Sequence, residues 1–187
     1  MFNFEDVLTI SLILFAVIDI LGSIPVIIDL RTKLGHIHSE RATLVSGGIM
    51  IVFLFVGREL LNLIGLDVSS FALAGAIVIF ILAMEMVLDR EFFKANVDPG
   101  AGSVVPIAFP LIAGAGTLTT LMSLRANYAD ADIILAIVIN LVPVYLSLKF
   151  SGRLAKFFGT GGLAILRRVF GIVLLAMAIK LFQTNLV

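Results

Sequence analysis

The chain has 187 residues, is 60% hydrophobic and 14% charged, has a mean hydropathy of +1.17 and carries a net charge of +0. About a quarter of the residues in a water-soluble domain are charged, so this composition belongs in a bilayer, and its neutrality argues against nucleic acid as a partner. Long apolar runs account for most of the length, which leaves none for a soluble catalytic head.

The chain starts Met1-Phe2-Asn3-Phe4-Glu5-Asp6, which is acidic, whereas a signal peptide starts with positive charge; the first apolar run is expected to stay in place. A helix crosses a bilayer with about 20 apolar residues. Six such runs are expected, at 6–28, 43–64, 69–88, 104–124, 132–150 and 168–186. In the first, Asp19 comes twelve positions after Val7, which puts it about 18 Å into the helix at 1.5 Å per residue. A carboxylate at that depth costs about 2.5–3.5 kcal/mol on insertion scales and should face the bundle interior, paired, hydrated or protonated. It could relay a proton or cation, capture an amine, or serve as a protonated structural carboxyl. Gly22, Ser23 and Pro25 follow, and Pro25 lacks a backbone donor and crowds the preceding turn, so a kink is expected there.

His36 and His38 share the next polar loop, and their spacing makes no metal site on its own; the absence of cysteine removes disulfides and thiolate ligands. Arg58 on the second run and Arg153 beyond the fifth read as snorkelling side chains, as do Glu85 and Lys180, which fall opposite each other in the repeat described below. Residues 89–98 read as a solvated loop. The fourth run holds Pro106, Pro110, Gly114 and Gly116 ahead of Thr117, Thr119 and Thr120, a poor continuous helix. In the fifth, Asn140, followed by Pro143, either lines a cavity or joins helices by hydrogen bonds.

The odd-numbered loops and their flanks carry Arg31, Lys33, Arg41, Arg90, Lys94, Lys149, Arg153, Lys156, Arg167 and Arg168, against Arg58, Arg125 and Lys180 on the other face. The positive-inside bias puts the odd loops in the cytoplasm and both termini outside it.

The second half echoes the first. Residues 15–25 (FAVIDILGSIP) fall on 109–119 (FPLIAGAGTLT) at an offset of 94, with Phe, Gly, a hydroxyl residue and an aliphatic in step. Gly57-Arg58 falls on Gly152-Arg153, and 76–79 on 171–174, both at an offset of 95. Three echoes in one order point to a duplication, with one repeat at about 1–94 and the other at about 95–187 of a single membrane domain, 1–187. Two copies with three helices each must sit in the membrane in opposite orientations. Such inverted repeats characterise secondary transporters, whose solute binds near the midplane where corresponding helices are interrupted. Backbone groups freed there survive only if protein or a water-lined cavity satisfies them. Small residues also serve close helix packing, so the glycines alone fit either role.

Residues 104–120 (VVPIAFPLIAGAGTLTT), with Asp19-Ile20-Leu21-Gly22-Ser23-Ile24-Pro25 on the first helix, resemble the MarC family of bacterial and archaeal membrane proteins over essentially the whole chain. The resemblance implies six helices in an inverted repeat, kinship with lysine-exporter-type carriers and, for some members, transport of small neutral amino acids. Asp19, Gly22, Ser23 and Pro25 match the first signature, and Pro110, Gly114, Gly116 and Thr117 the second. Family members often carry proline where this chain has Ile20 and Ala115, which implies milder breaks here.

The sequence thus leads to an all-α membrane protein with six transmembrane helices in two inverted three-helix repeats, broken in helices one and four. The expected function is secondary transport of glycine, alanine, serine or threonine by alternating access, with no enzyme activity, no metal and no cofactor beyond coupling to H+ or Na+. The expected site is Asp19, Gly22, Ser23, Pro25, Gly114, Gly116, Thr117, Thr119, Thr120 and Asn140. The expected partners are a small solute, the lipid of a prokaryotic inner membrane and, as an allowed arrangement, further copies of the chain. The rival readings are a non-transporting membrane scaffold or regulator and a carrier of a different small solute.

Overall fold

The computed structural model describes residues 3–34, 36–89 and 107–186. Among these the chain is all helical: α1 (Phe4–Ile18), α2 (Ile20–Leu34), α3 (Ser39–Ile64), α4 (Val68–Leu88), a wide helical turn (Ile107–Ile112), α5 (Ala115–Leu124) and α6 (Asp130–Leu186). Arg90, Lys94 and Pro106 lie outside the described residues.

Local chemistry sets the helix ends. Asn3 caps α1 by accepting the Glu5 N–H at 3.1 Å, and Asp67 caps α4 by accepting the Ser70 N–H at 2.6 Å. The same Ser70 contacts hold the Asp67 carboxyl below the usual carboxylate range. Gly65 ends α3 at φ 80, a left-handed geometry that glycine adopts without a Cβ penalty.

Among the described residues, three helical stretches are long and apolar enough to cross a membrane: Ser39–Ile64, Val68–Leu88 and Asp130–Leu154. The first expected run is a bent pair, Phe4–Ile18 and Gly22–Ile28, inclined by 47° across a break. That break falls at Asp19, not at Pro25, which sits inside α2. The described part of the fourth run is also interrupted, and α5, with 10 residues, is about 15 Å long and too short to cross alone.

The fifth and sixth runs are separate helices, as expected: the stretch Asp130–Leu186 departs from helical geometry at Gly159 (φ 61, ψ 178), which divides α6 into a first arm before that glycine and a second arm after it. The basic stretch expected as a loop is therefore helical on both sides of that glycine. Arg, Lys and Leu favour helix as strongly as most residues do, and charge alone does not interrupt it.

Named contacts orient the helices. Asn3 N–H reaches Asp132 Oδ1 at 3.2 Å and Asn140 Nδ2 reaches the Ser11 carbonyl at 3.1 Å, so α1 runs parallel to the first arm of α6. Tyr145 OH donates to Glu40 at 3.2 Å while Leu141 fills the space left by Gly47, so α3 runs antiparallel to that arm. Arg167 pairs with Asp89 at 2.6 Å and Gly171 lies against Val87, so α4 runs antiparallel to the second arm. At the basic end Arg31 reaches from α2 to Ser151 Oγ at 3.0 Å, over Gly152, which leaves room for the guanidinium. Ile10, Leu14, Met50, Leu54, Leu118, Leu121, Ile133 and Ile137 belong to the buried apolar core. Large apolar side chains such as Leu44, Val52, Leu63 and Val138 point outward, as expected of a lipid-facing surface.

Gly75 meets α5 so closely that a Cβ there would press on Ala115, 3.3 Å from its Cα, whereas a Cβ on Gly48 meets nothing within 4 Å. Gly75→Leu is therefore expected to lower unfolding stability in detergent by about 1–3 kcal/mol, the usual result of overpacking. Gly48→Leu should stay within about 0.5 kcal/mol of wild type in the same denaturation series.

Candidate functional site

The first break is organised by one side chain. Asp19 adopts left-handed geometry (φ 46, ψ 51), which aspartate tolerates better than most residues, and its N–H closes α1 on the Phe15 carbonyl at 3.2 Å. Its carbonyl then accepts the Ser23 N–H at 2.9 Å and its Oδ1 accepts the Gly22 N–H at 3.2 Å, so Asp19 ends one helix and starts the next. Gly22 is needed for this: a Cβ would run into the Asp19 carboxylate, 2.8 Å from Cγ. The second oxygen, Oδ2, is buried with no hydrogen-bond partner among the described residues. A buried polar atom left this way costs about 1–3 kcal/mol.

The second break is broader. Phe109 is extended (φ −140, ψ 128), the Phe109–Pro110 peptide is cis, and the Ala113 N–H reaches back five residues to the Ala108 carbonyl at 2.9 Å. The helix restarts after Gly114, whose missing side chain lets the Pro110 carbonyl pack against its Cα. Thr117 returns its hydroxyl to the Ile112 carbonyl at 3.0 Å, pairing an acceptor that the break frees. Gly114 provides no side-chain cap, so the positive end of the α5 dipole has no side-chain oxygen on it.

The two breaks meet at one cavity of about 60 Å³. Asp19 and Ser23 line it from the first break, and Pro110, Gly114, Gly116 and Thr117 from the second. The negative end of α1 and the Asp19 carboxylate thus share a chamber with the positive start of α5. Gly22 and Pro25 lie beside it on α2 without lining it. The Thr119 and Thr120 hydroxyls turn to the Gly116 carbonyl at 3.1 and 2.8 Å, outside the lining. Asn140 is placed elsewhere: 3% exposed, it donates to the Ala136 carbonyl and, across to α1, to that of Ser11. Among the described residues no three His, Cys, Asp or Glu side chains gather as a metal set.

The rest of the lining was not foreseen from the sequence. Ile79 and Leu82 come from α4, and Leu174 and Met177 from the second arm of α6. The expected repeat offset carried the signal: Ile79 and Leu174 are 95 residues apart, as are Leu82 and Met177. Val17 with Leu111 and Ser23 with Thr117 form further lining pairs at an offset of 94. The helices restart at Ile20 and Ala115, again 95 apart.

Gly116 differs from its neighbours, since a Cβ on it would lie 3.7 Å from Val17 Cγ1 and 4.0 Å from Leu181 Cδ2, at ordinary contact distance. Gly22→Ala and Gly114→Ala should each lower stability by about 1–3 kcal/mol in detergent unfolding, because their Cβ atoms displace the capping carboxylate or the turn backbone. Gly116→Ala should leave it within about 0.5 kcal/mol.

The profile described as MarC family integral membrane protein matches residues 4–187. A UPF0056 membrane protein of Buchnera aphidicola subsp. Schizaphis graminum is 27% identical over 185 residues, covering 95% of this chain and 94% of the relative. The UPF0056 inner membrane protein YhgN of Escherichia coli K12 is 25% identical, with 95% and 94% covered. A UPF0056 membrane protein of the archaeon Archaeoglobus fulgidus is 29% identical, with 89% and 85% covered. No solved structure matches significantly. With a match that runs from the start of the first helix to the last residue, this chain belongs to the MarC family of integral membrane proteins.

Proposed function

We propose that the protein is a secondary transporter that carries small neutral amino acids, glycine, alanine, serine or threonine, by alternating access. The observation that carries this reading is a cavity lined by both helix breaks. In this reading the chain crosses the inner membrane six times as two inverted repeats, and both termini lie on the extracytoplasmic side. The antiparallel α4 and second arm of α6, and the lining pairs at offsets of 94 and 95, support it.

The chemistry of the cavity suits a zwitterion. A site for one water needs about 10–15 Å³, so about 60 Å³ admits several waters or a small solute in their place. Asp19 Oδ2 is free to take an ammonium group or a coupling proton. The uncapped first turn of α5 suits a carboxylate, as helix N-termini do generally. Ser23 and Thr117 supply hydroxyl contacts, Thr117 as an acceptor because its own proton is committed to Ile112. Gly22 holds the Asp19 carboxylate in place, and Pro25, Thr119, Thr120 and Asn140 support the surrounding helices. Coupling is to H+ or Na+. The scaffold reading draws on the tight contacts of Gly47, Gly57, Gly75 and Gly171, but Gly116 faces the cavity without such a contact.

Proteoliposomes containing the wild-type protein are expected to concentrate labelled alanine or glycine when a proton or sodium gradient is imposed. Asp19→Asn and Gly116→Leu, checked as monodisperse, should lower that uptake by more than tenfold. If correctly folded wild type moves neither solute under any gradient, the amino-acid reading is lost, and the scaffold or different-solute reading takes its place.

A further inference from the structure

We infer that Leu82 on α4 and Met177 on α6, backed by Ile79 and Leu174, form a side-chain size filter that sets the largest solute the cavity accepts. The inference rests on the transporter reading and deepens it.

Different helices supply different chemistry to the cavity. Every polar group in the cavity lining comes from the two breaks, as Asp19 and Ser23 at the first and Thr117 with the α5 start at the second. From α4 and the second arm of α6 come four apolar side chains and no polar one among the lining residues. A zwitterion held by its charged ends at the breaks must direct its side chain at this wall, because burying a charged end there would leave it unpaired. The wall also packs closely behind the cavity: Ala83, Met86 and Leu174 share one apolar cluster, and Gly171 lies against Val87 and Met86. A larger solute would have to displace that packing.

The repeat makes the inference more specific. Leu82 and Met177 occupy corresponding positions 95 residues apart, so each half of the chain contributes one filter residue. Truncating either should enlarge the same chamber in the same way. Gly116 tests the opposite direction, since a methyl group fits there at 3.7 Å from Val17 and takes up cavity space.

The experiment is counterflow of labelled alanine in proteoliposomes, with glycine, alanine, valine and leucine as competitors, for wild type, Leu82→Ala, Met177→Ala and Gly116→Ala. A methylene in an apolar pocket is worth about 10–200-fold in discrimination. Valine and leucine are therefore expected to compete at least tenfold better in both truncations than in wild type, and Gly116→Ala should shift preference about tenfold toward glycine. Because the two truncations lie on different helices and predict one outcome, either decides the matter if the other fails to fold. Truncations that are monodisperse, move alanine and keep the wild-type competition profile overturn the filter while transport stands. Wild type that moves neither alanine nor glycine overturns the transport reading, and the filter falls with it.

Discussion

Hydrocarbon offers no hydrogen bonds, and each interruption of a membrane helix must find its own partners for the backbone it frees. Both breaks meet that constraint with local chemistry. At the first, the Asp19 carboxylate and carbonyl take the N–H groups of Gly22 and Ser23. At the second, Ala113 reaches back to Ala108 and the Thr117 hydroxyl takes the Ile112 carbonyl. The cavity is the remainder of that arrangement, the space bounded by two helix ends that turn instead of running straight. Asp19 is central to it because one oxygen is committed to structure and the other has no partner among the described residues.

Glycine does two different jobs around this site. Gly75, Gly57 and Gly171 bring helices close, since a methyl group on any of them would press on Ala115, Met122 or Val87. Such close approach suits a bilayer, where apolar helices gain little from leaving lipid and must associate through packing. Gly22 and Gly114 instead make room for the breaks themselves, one for a carboxylate and the other for the Pro110 carbonyl. Gly116 belongs to neither group, with its nearest contacts at ordinary distance and its face on the cavity. Glycines that look alike in the sequence thus separate into packing, backbone and open positions.

Much of this was legible in the residues. Hydropathy marked the membrane segments, and a carboxylate about 18 Å deep followed by glycine, serine and proline marked a break, because neither feature is tolerated in lipid without a reason. The proline and glycine run at 106–116 marked the second break. Other details depended on competition between neighbours. Pro25 was expected to cause the kink, yet the chain turns six residues earlier, where an aspartate can both adopt positive φ and cap the next helix. Charge between the fifth and sixth runs suggested a loop, but good helix formers carried the helix through to Gly159.

Composition and periodicity alone determined that this is a helical membrane protein with two interrupted segments, since the solvent dictates those features residue by residue. Which polar residues share a chamber was decided only by tertiary structure. Asn140 and Asp19 are both polar residues in apolar runs, and local sequence does not say which of them reaches the cavity. Packing sets Asn140 against the Ser11 carbonyl on α1 and opens Asp19 to the cavity. Leu82 and Met177 resemble any other lipid-soluble side chains until α4 and α6 pair antiparallel and bring them to one wall, because helix association sets a side chain's surroundings and its own identity does not.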